Sequence, residues 1–137
     1  MLGAYASPIL LVGPAGNGQR VKLVNNALFV AQVGLAIDAV RLAGSVGIEE
    51  SAILAALPHG SGASRALGVV GNGGSVDAVA GRLGALMSKD VDVVREVARN
   101  AGADLGIIGT VLSSRAVEEK VLGRTDNEGV RDDREAR

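Results

Sequence analysis

The chain contains no cysteine and a single histidine. The first absence excludes disulfides, thiolate nucleophiles and cysteine metal ligands, and it leaves the redox compartment unmarked. The second excludes a multi-histidine metal centre and confines any Ser-His-Asp triad to His59, so no metal ligands are assigned. His59 falls in a turn between two helical stretches, where a lone histidine serves as a surface or capping residue. Aromatic residues are almost lacking: Tyr5 and Phe29 are the only two, while glycine reaches 20 of 137 residues, about twice its ordinary share. The core must therefore be built from Ala, Val, Leu, Ile and Gly, with helix backbones close together. Lysine is scarce as well. Only Lys22, Lys89 and Lys120 stand against eleven arginines, so each lysine asks for a reason. Charge of neither sign is in excess: the formal net charge is -1, and no basic patch invites nucleic acid or an anionic membrane. Residues 1–6 carry no basic n-region and the apolar run 8–12 is too short for a signal peptide or a membrane span, which points to a cytoplasmic chain.

What the sequence does hold is length enough for one domain, burying roughly two thirds of its unfolded surface, and one long apolar stretch. Over 13–47 the chain reads GPAGNGQRVKLVNNALFVAQVGLAIDAVRLAGSVG. No proline interrupts it after Pro14, helix can begin at Asn17 or Gly18, and Gly47 stands where a left-handed terminating residue is wanted. A helix over 18–46 would be roughly 43 Å long at about 1.5 Å per residue. Between Ala27 and Val46 its only charges are Asp38 and Arg41. An apolar surface that continues round a helix predicts burial on several sides, hence a central helix.

Lys22, Asn25 and Asn26 break that pattern. Asparagine is a mediocre helix former, and two in succession cost stability without filling a core. At spacings of three and four the three side chains project from one face, presenting a cation and two amides to one region of space. On spacing alone, two readings stand: a solvated first turn, or a polar site on an apolar helix.

Elsewhere the pattern is helical. A short segment of Ile9, Leu10, Leu11 and Val12 suggests a buried strand or extended lead-in, followed by a glycine turn whose G-x-x-G-x-G spacing fits neither dinucleotide nor P-loop fingerprints. Short helices are expected over 48–57, ending at Pro58, and over 61–70, entered at Ser61 or Ser64, with a loop over 71–75. Another is expected over 79–87, then a helix capped by Ser88 and running to Ala101, and a last one over 107–122. The domain reading is thus a lead-in segment and glycine loop over 1–17, an all-helical domain over 18–122, and a charged, disordered tail over 123–137. The fold class is all-α, around one long central helix.

The residues Gly16, Gly18, Lys22, Asn25 and Asn26 reproduce the pattern G-x-G-x-x-x-K-x-x-N-N. Gly47, Ile48 and Glu49 follow at the end of the same helix, and Lys89 with Asp90 supplies a later lysine-aspartate pair read as opening a helix. On these motifs the chain resembles the C-terminal helical domain of the β-hydroxyacid dehydrogenases, the 3-hydroxyisobutyrate dehydrogenase family related to 6-phosphogluconate dehydrogenase. The resemblance covers roughly residues 8–122, and two of the three lysines fall on family positions.

That resemblance implies an NAD(P)-dependent oxidoreductase acting on a small β-hydroxyacid. In such enzymes a Rossmann domain binds NAD or NADP, the lysine matching Lys22 is the general acid/base on the substrate hydroxyl, and the residues matching Asn25 and Asn26 hold the substrate. The lysine matching Lys89 contacts cofactor or substrate. A lysine made less basic by burial can take a hydroxyl proton near neutral pH, which agrees with that role. The Rossmann half, with its G-x-G-x-x-G turn, is missing from this sequence, so a nucleotide-binding domain or partner chain is expected to complete the site, and a homodimer is implied. An aromatic residue usual before the later lysine is missing from 81–88. The alternative from another class is a non-catalytic helical interaction module that keeps the fold for packing alone.

Overall fold

The computed structural model describes residues 11–125. Among them there is no strand, and the architecture is all-α, with shorter helices packed around one long one. Helix α1 spans Asn17–Ser45. It ends in a Schellman arrangement: Gly47 has φ 84°, its N–H donates to the Gly44 carbonyl at 3.1 Å, and the Ile48 N–H donates to the Ala43 carbonyl at 2.9 Å. The left-handed residue costs little at glycine, which is why the helix stops there.

Short α2 (Glu50–Ala56) runs into a 3₁₀ turn, Leu57–His59, with Pro58 at its start. α3 (Arg65–Asn72) begins where the Ser64 hydroxyl accepts from the Leu67 N–H at 3.0 Å, and it extends two residues into the expected 71–75 loop. α4 (Val76–Ala101) is capped by Ser75 and also by Glu50 of α2, whose carboxylate accepts the Val76 N–H at 2.9 Å. A carboxylate at a helix N-terminus meets both an orphan donor and the favourable end of the dipole.

Three expectations are corrected. The two helices expected over 79–87 and 88–101 are one continuous helix, because nothing between them breaks the hydrogen-bond ladder; Ser88 is not a cap, and its hydroxyl instead accepts from Arg124 at 3.2 Å. Lys89 and Asp90 accordingly sit in mid-helix. The single helix expected over 107–122 is divided into α5 (Gly106–Leu112) and a π-helical segment, Ala116–Val121. Arg95 holds the break open by donating to the Leu112 carbonyl at 3.0 Å and to Glu118 Oε1 at 2.6 Å. Of the two readings of the lead-in, the buried strand does not hold where the segment is described: Leu11 is 96% exposed and Val12 is exposed too. Ile9 and Leu10 lie outside the described residues. So does most of the expected tail. Of its 123–125 portion, Arg124 is bound to Asp92 at 2.7 and 2.8 Å.

The core is aliphatic, as the composition requires. Val30, Val33, Val70, Val91, Leu112, Val117 and Val121 are its largest fully buried side chains, each contributing about 1.5–3 kcal/mol by leaving water. With only the half-buried Phe29 to supply a ring, backbones approach closely. A Cβ on Gly34 would stand 2.5 Å from Val117 Cγ2, and one on Gly84 would overlap the Val121 carbonyl oxygen. The π-helical segment is therefore wedged between α1 and α4 at two glycines.

Helix α1 is long and apolar enough to cross a membrane by length and composition. It is nevertheless in contact with α2, α3, α4, α5 and the segment Ala116–Val121, and buries Ala27, Val30, Ala31, Val33, Ala36 and Ile37 among them, as a core helix does.

Candidate functional site

The N-terminal end of α1 is shaped by a glycine turn. Gly13 and Gly16 both have left-handed φ, 104° and 92°. At Gly13 the need is steric as well, since a Cβ there would stand 2.6 Å from Asn17 Nδ2. That amide donates to the Val12 carbonyl at 3.0 Å, and the Asn17 N–H donates to the Pro14 carbonyl at 3.1 Å. The loop thus folds back onto the first helical residue, a tight turn and not an open phosphate cradle.

Lys22, Asn25 and Asn26 follow within one turn of one another. At about 100° per residue, Lys22 lies in projection between the two asparagines. Lys22 and Asn25 are exposed, whereas Asn26 is buried at 8% exposure and is the one buried polar side chain among the described residues. A buried amide needs partners. Asn26 Nδ2 donates to Asp90 Oδ2 of α4 at 2.7 Å, a short charge-assisted bond, and Asn26 Oδ1 accepts from Asn25 Nδ2 at a longer 3.5 Å. Lys89, next to Asp90, is exposed.

The structure therefore joins the two sequence motifs across the contact between α1 and α4, but it joins them through Asp90 and not through Lys89. Asn25 also lines a shallow groove of about 460 Å³ with Val12, Asn17, Arg20, Val21 and Val24; Lys22 stands outside that groove. Asp90 was not picked out from the sequence as a site residue. Its signal was available: Met87, Asp90, Val91 and Val94 share one helical face, and an acid on a core-facing stripe calls for a buried partner.

Chemically, this end of the molecule offers two exposed ammonium groups, an exposed amide and a buried amide held by a carboxylate. Such a set can bind an anionic or hydroxylated small molecule along one wall. The described residues contain no strand and no dinucleotide-binding turn, so they fit a nicotinamide cofactor as one rim of its site, not as the whole of it.

Residues 16–130 match the family model described as NAD-binding of NADP-dependent 3-hydroxyisobutyrate dehydrogenase. No match was found among curated proteins or solved structures. The matched span takes in the Lys22-Asn25-Asn26 motif, the Lys89-Asp90 pair and every helix described above, and its extent over most of the chain establishes that the chain belongs to the 3-hydroxyisobutyrate dehydrogenase family, related at that level to oxidoreductases that use a nicotinamide cofactor.

Proposed function

We propose that this chain is the catalytic and dimerisation half of an NAD(P)-dependent dehydrogenase of a small β-hydroxyacid, working in the cytoplasm with a Rossmann domain that binds NAD or NADP. The observation that carries the reading is the placement of Asn26: a buried amide, tied to Asp90 across two helices and one turn from the exposed Lys22. A folding motif has little use for a polar pair in that seam, whereas a substrate-holding amide needs a fixed position.

When bound, the nicotinamide supplies a hydride acceptor. The chain's own residues handle the proton and the orientation. Hydride loss from the carbinol carbon leaves an oxygen that must give up its proton, and Lys22 Nζ takes it. Asn25 and Asn26 hold the substrate, and Lys89 contacts the cofactor or substrate from α4. Lys22 is exposed on α1, so the desolvation that a lysine base requires has to come from the domain that covers this end of the helix.

The test is oxidation of 3-hydroxyisobutyrate by the chain together with an NAD(P)-binding domain. Lys22→Ala should lower turnover by about 10²-fold to 10⁴-fold with the fold intact. Lys22→Arg should be nearly as damaging, since a guanidinium does not accept a proton near neutral pH. Retention of most activity by Lys22→Arg would remove the acid/base role.

The interaction-module reading also has an observation behind it. Val21, Leu28, Leu35 and Leu42 recur every seven residues along α1 and are all exposed, with Val24 beside them. Soluble proteins seldom leave such a row to water. In the dehydrogenase reading the row is covered by a second copy or by the nucleotide-binding domain. Sedimentation of the chain alone should show self-association at micromolar concentration; a clean monomer that binds no apolar dye would oppose it.

A further inference from the structure

An ionised carboxylate only accepts hydrogen bonds, whereas a primary amide donates from one end and accepts at the other. The 2.7 Å contact between Asn26 and Asp90 therefore fixes which way the Asn26 amide points: with Oδ1 toward Asp90, two oxygens would repel at contact distance. Nδ2 is held against α4, and Oδ1 lies on the other side of the amide. The neighbour on that side is Asn25 Nδ2, whose 3.5 Å bond is long and easily exchanged. Side chains on a helix lean toward its N-terminus, so the amide leans toward the turn that carries Lys22. Burial of Asn26 at 8% exposure leaves it little room to flip.

We propose that Asp90 is a positioning residue that locks the Asn26 amide with its oxygen facing the Lys22 side, so that the site selects a ligand group with a hydrogen to donate over one that can only accept. The proposal rests on the hydroxyacid reading and sharpens it: the hydroxyl rests with its one hydrogen donated to Asn26 Oδ1 until that hydrogen turns to Lys22 Nζ for transfer, and the anionic end of the substrate is left to other cations, Lys89 among them. The chain's own geometry thus sets a preference that no property of the cofactor enters.

The experiment uses the full chain, labelled with ¹⁵N and combined with the same unlabelled NAD(P)-binding domain as the turnover test, and two probes: 3-hydroxypropionate and 3-methoxypropionate. Both carry a carboxylate and an oxygen at the same carbon, but the ether has no hydrogen to give. Each acid is titrated in the presence of NADH or NADPH while the Asn26 side-chain amide signals are followed. The wild-type chain should prefer the hydroxyacid by about tenfold or more, the usual penalty for leaving a buried acceptor unmet. In Asp90→Asn the facing amide can donate or accept, so the orientation of Asn26 is released and the preference should fall at least about fivefold. Asp90→Glu, which keeps an acceptor-only partner, should recover most of it. A purely structural Asp90 would alter the stability of all variants without changing that ratio. A wild-type chain that takes both acids equally overturns the proposal without reference to any variant, as does a preference that survives in Asp90→Asn. Absence of binding by either acid to the wild type removes the hydroxyacid reading itself, and this inference with it.

Discussion

Helices α1 and α4 are held together in two different ways. Near the middle, the π-helical segment wedges against Gly34 and Gly84 with no space for even one added carbon. Toward the start of α1, the same pair of helices meets through Asn26 and Asp90, a single amide-carboxylate bond of 2.7 Å at the edge of solvent. Close packing tolerates no change and offers no chemistry. A hydrogen-bonded polar pair contributes less to stability, since each group gives up water to make it, but it fixes donors and acceptors in space. The division teaches where function was accommodated: the glycine wedge makes the scaffold rigid, and the polar seam makes use of that rigidity.

The sharpest way to break the comparison is at the wedge. An added Cβ at Gly84 meets a backbone carbonyl, which cannot rotate aside as a side chain can. Gly84→Ala should destabilise the chain by about 3 kcal/mol, the upper part of the range for overpacked cores, even though alanine is the better helix former. Urea unfolding should show the midpoint falling at unchanged slope. A neutral result would mean that the wedge is loose and that the two seams do not differ in kind.

Much of this was legible in the sequence, for identifiable reasons. The extent of α1 could be read because two strong local signals bound it, the glycine turn before Asn17 and the left-handed Gly47, with uninterrupted apolar residues between. The lysine-asparagine motif could be singled out because its three residues are close in sequence, although among them only Asn25 and Asn26 are bonded to each other. What escaped depended on contacts distant in sequence. Ser88 looked like a cap, and only the packing of the chain's C-terminal part shows it to be a mid-helix acceptor for Arg124. The break between α5 and the π-helical segment is made by Arg95, seventeen residues before the carbonyl it binds. Asp90 stood beside a named lysine, yet its role follows from a partner 64 residues away. The resemblance supplied the roles of the site residues, which spacing alone left divided between a solvated turn and a site.

At the polar seam the expected effect on folding is smaller. Asn26→Ala removes a hydrogen bond to a charged group, but Asp90 is only half-buried and can turn to water, so the loss should be about 1–2 kcal/mol. Combined with Asp90→Ala in a double-mutant cycle, the pair should show a coupling of about 1 kcal/mol, because each single substitution already breaks the same bond. Hydroxyacid turnover in the assembled enzyme should suffer far more than stability does. Equal losses in both would turn Asn26 into a packing residue and erase the distinction between the seams.

The smallest effect is the most specific control. Gly81 lies on α4 one turn before Gly84, yet a Cβ added there would meet nothing within 4 Å, and the residue is exposed with ordinary helical φ. Glycine in mid-helix is costly because the unfolded chain has so much freedom to lose. Gly81→Ala should therefore stabilise the isolated chain by about 0.5–1 kcal/mol, opposite in sign to Gly84→Ala and only three residues away. The pair of substitutions separates helix propensity, which favours alanine at both positions, from close approach, which forbids it at one. The same substitution also probes what covers α4. If Gly81→Ala raises the urea midpoint of the chain alone but weakens its association with a nucleotide-binding domain or a second copy, then a partner backbone approaches α4 at Gly81 as Val121 does at Gly84. If stability rises and association is unchanged, that face of α4 remains open in the assembly, and close packing is confined to the wedge.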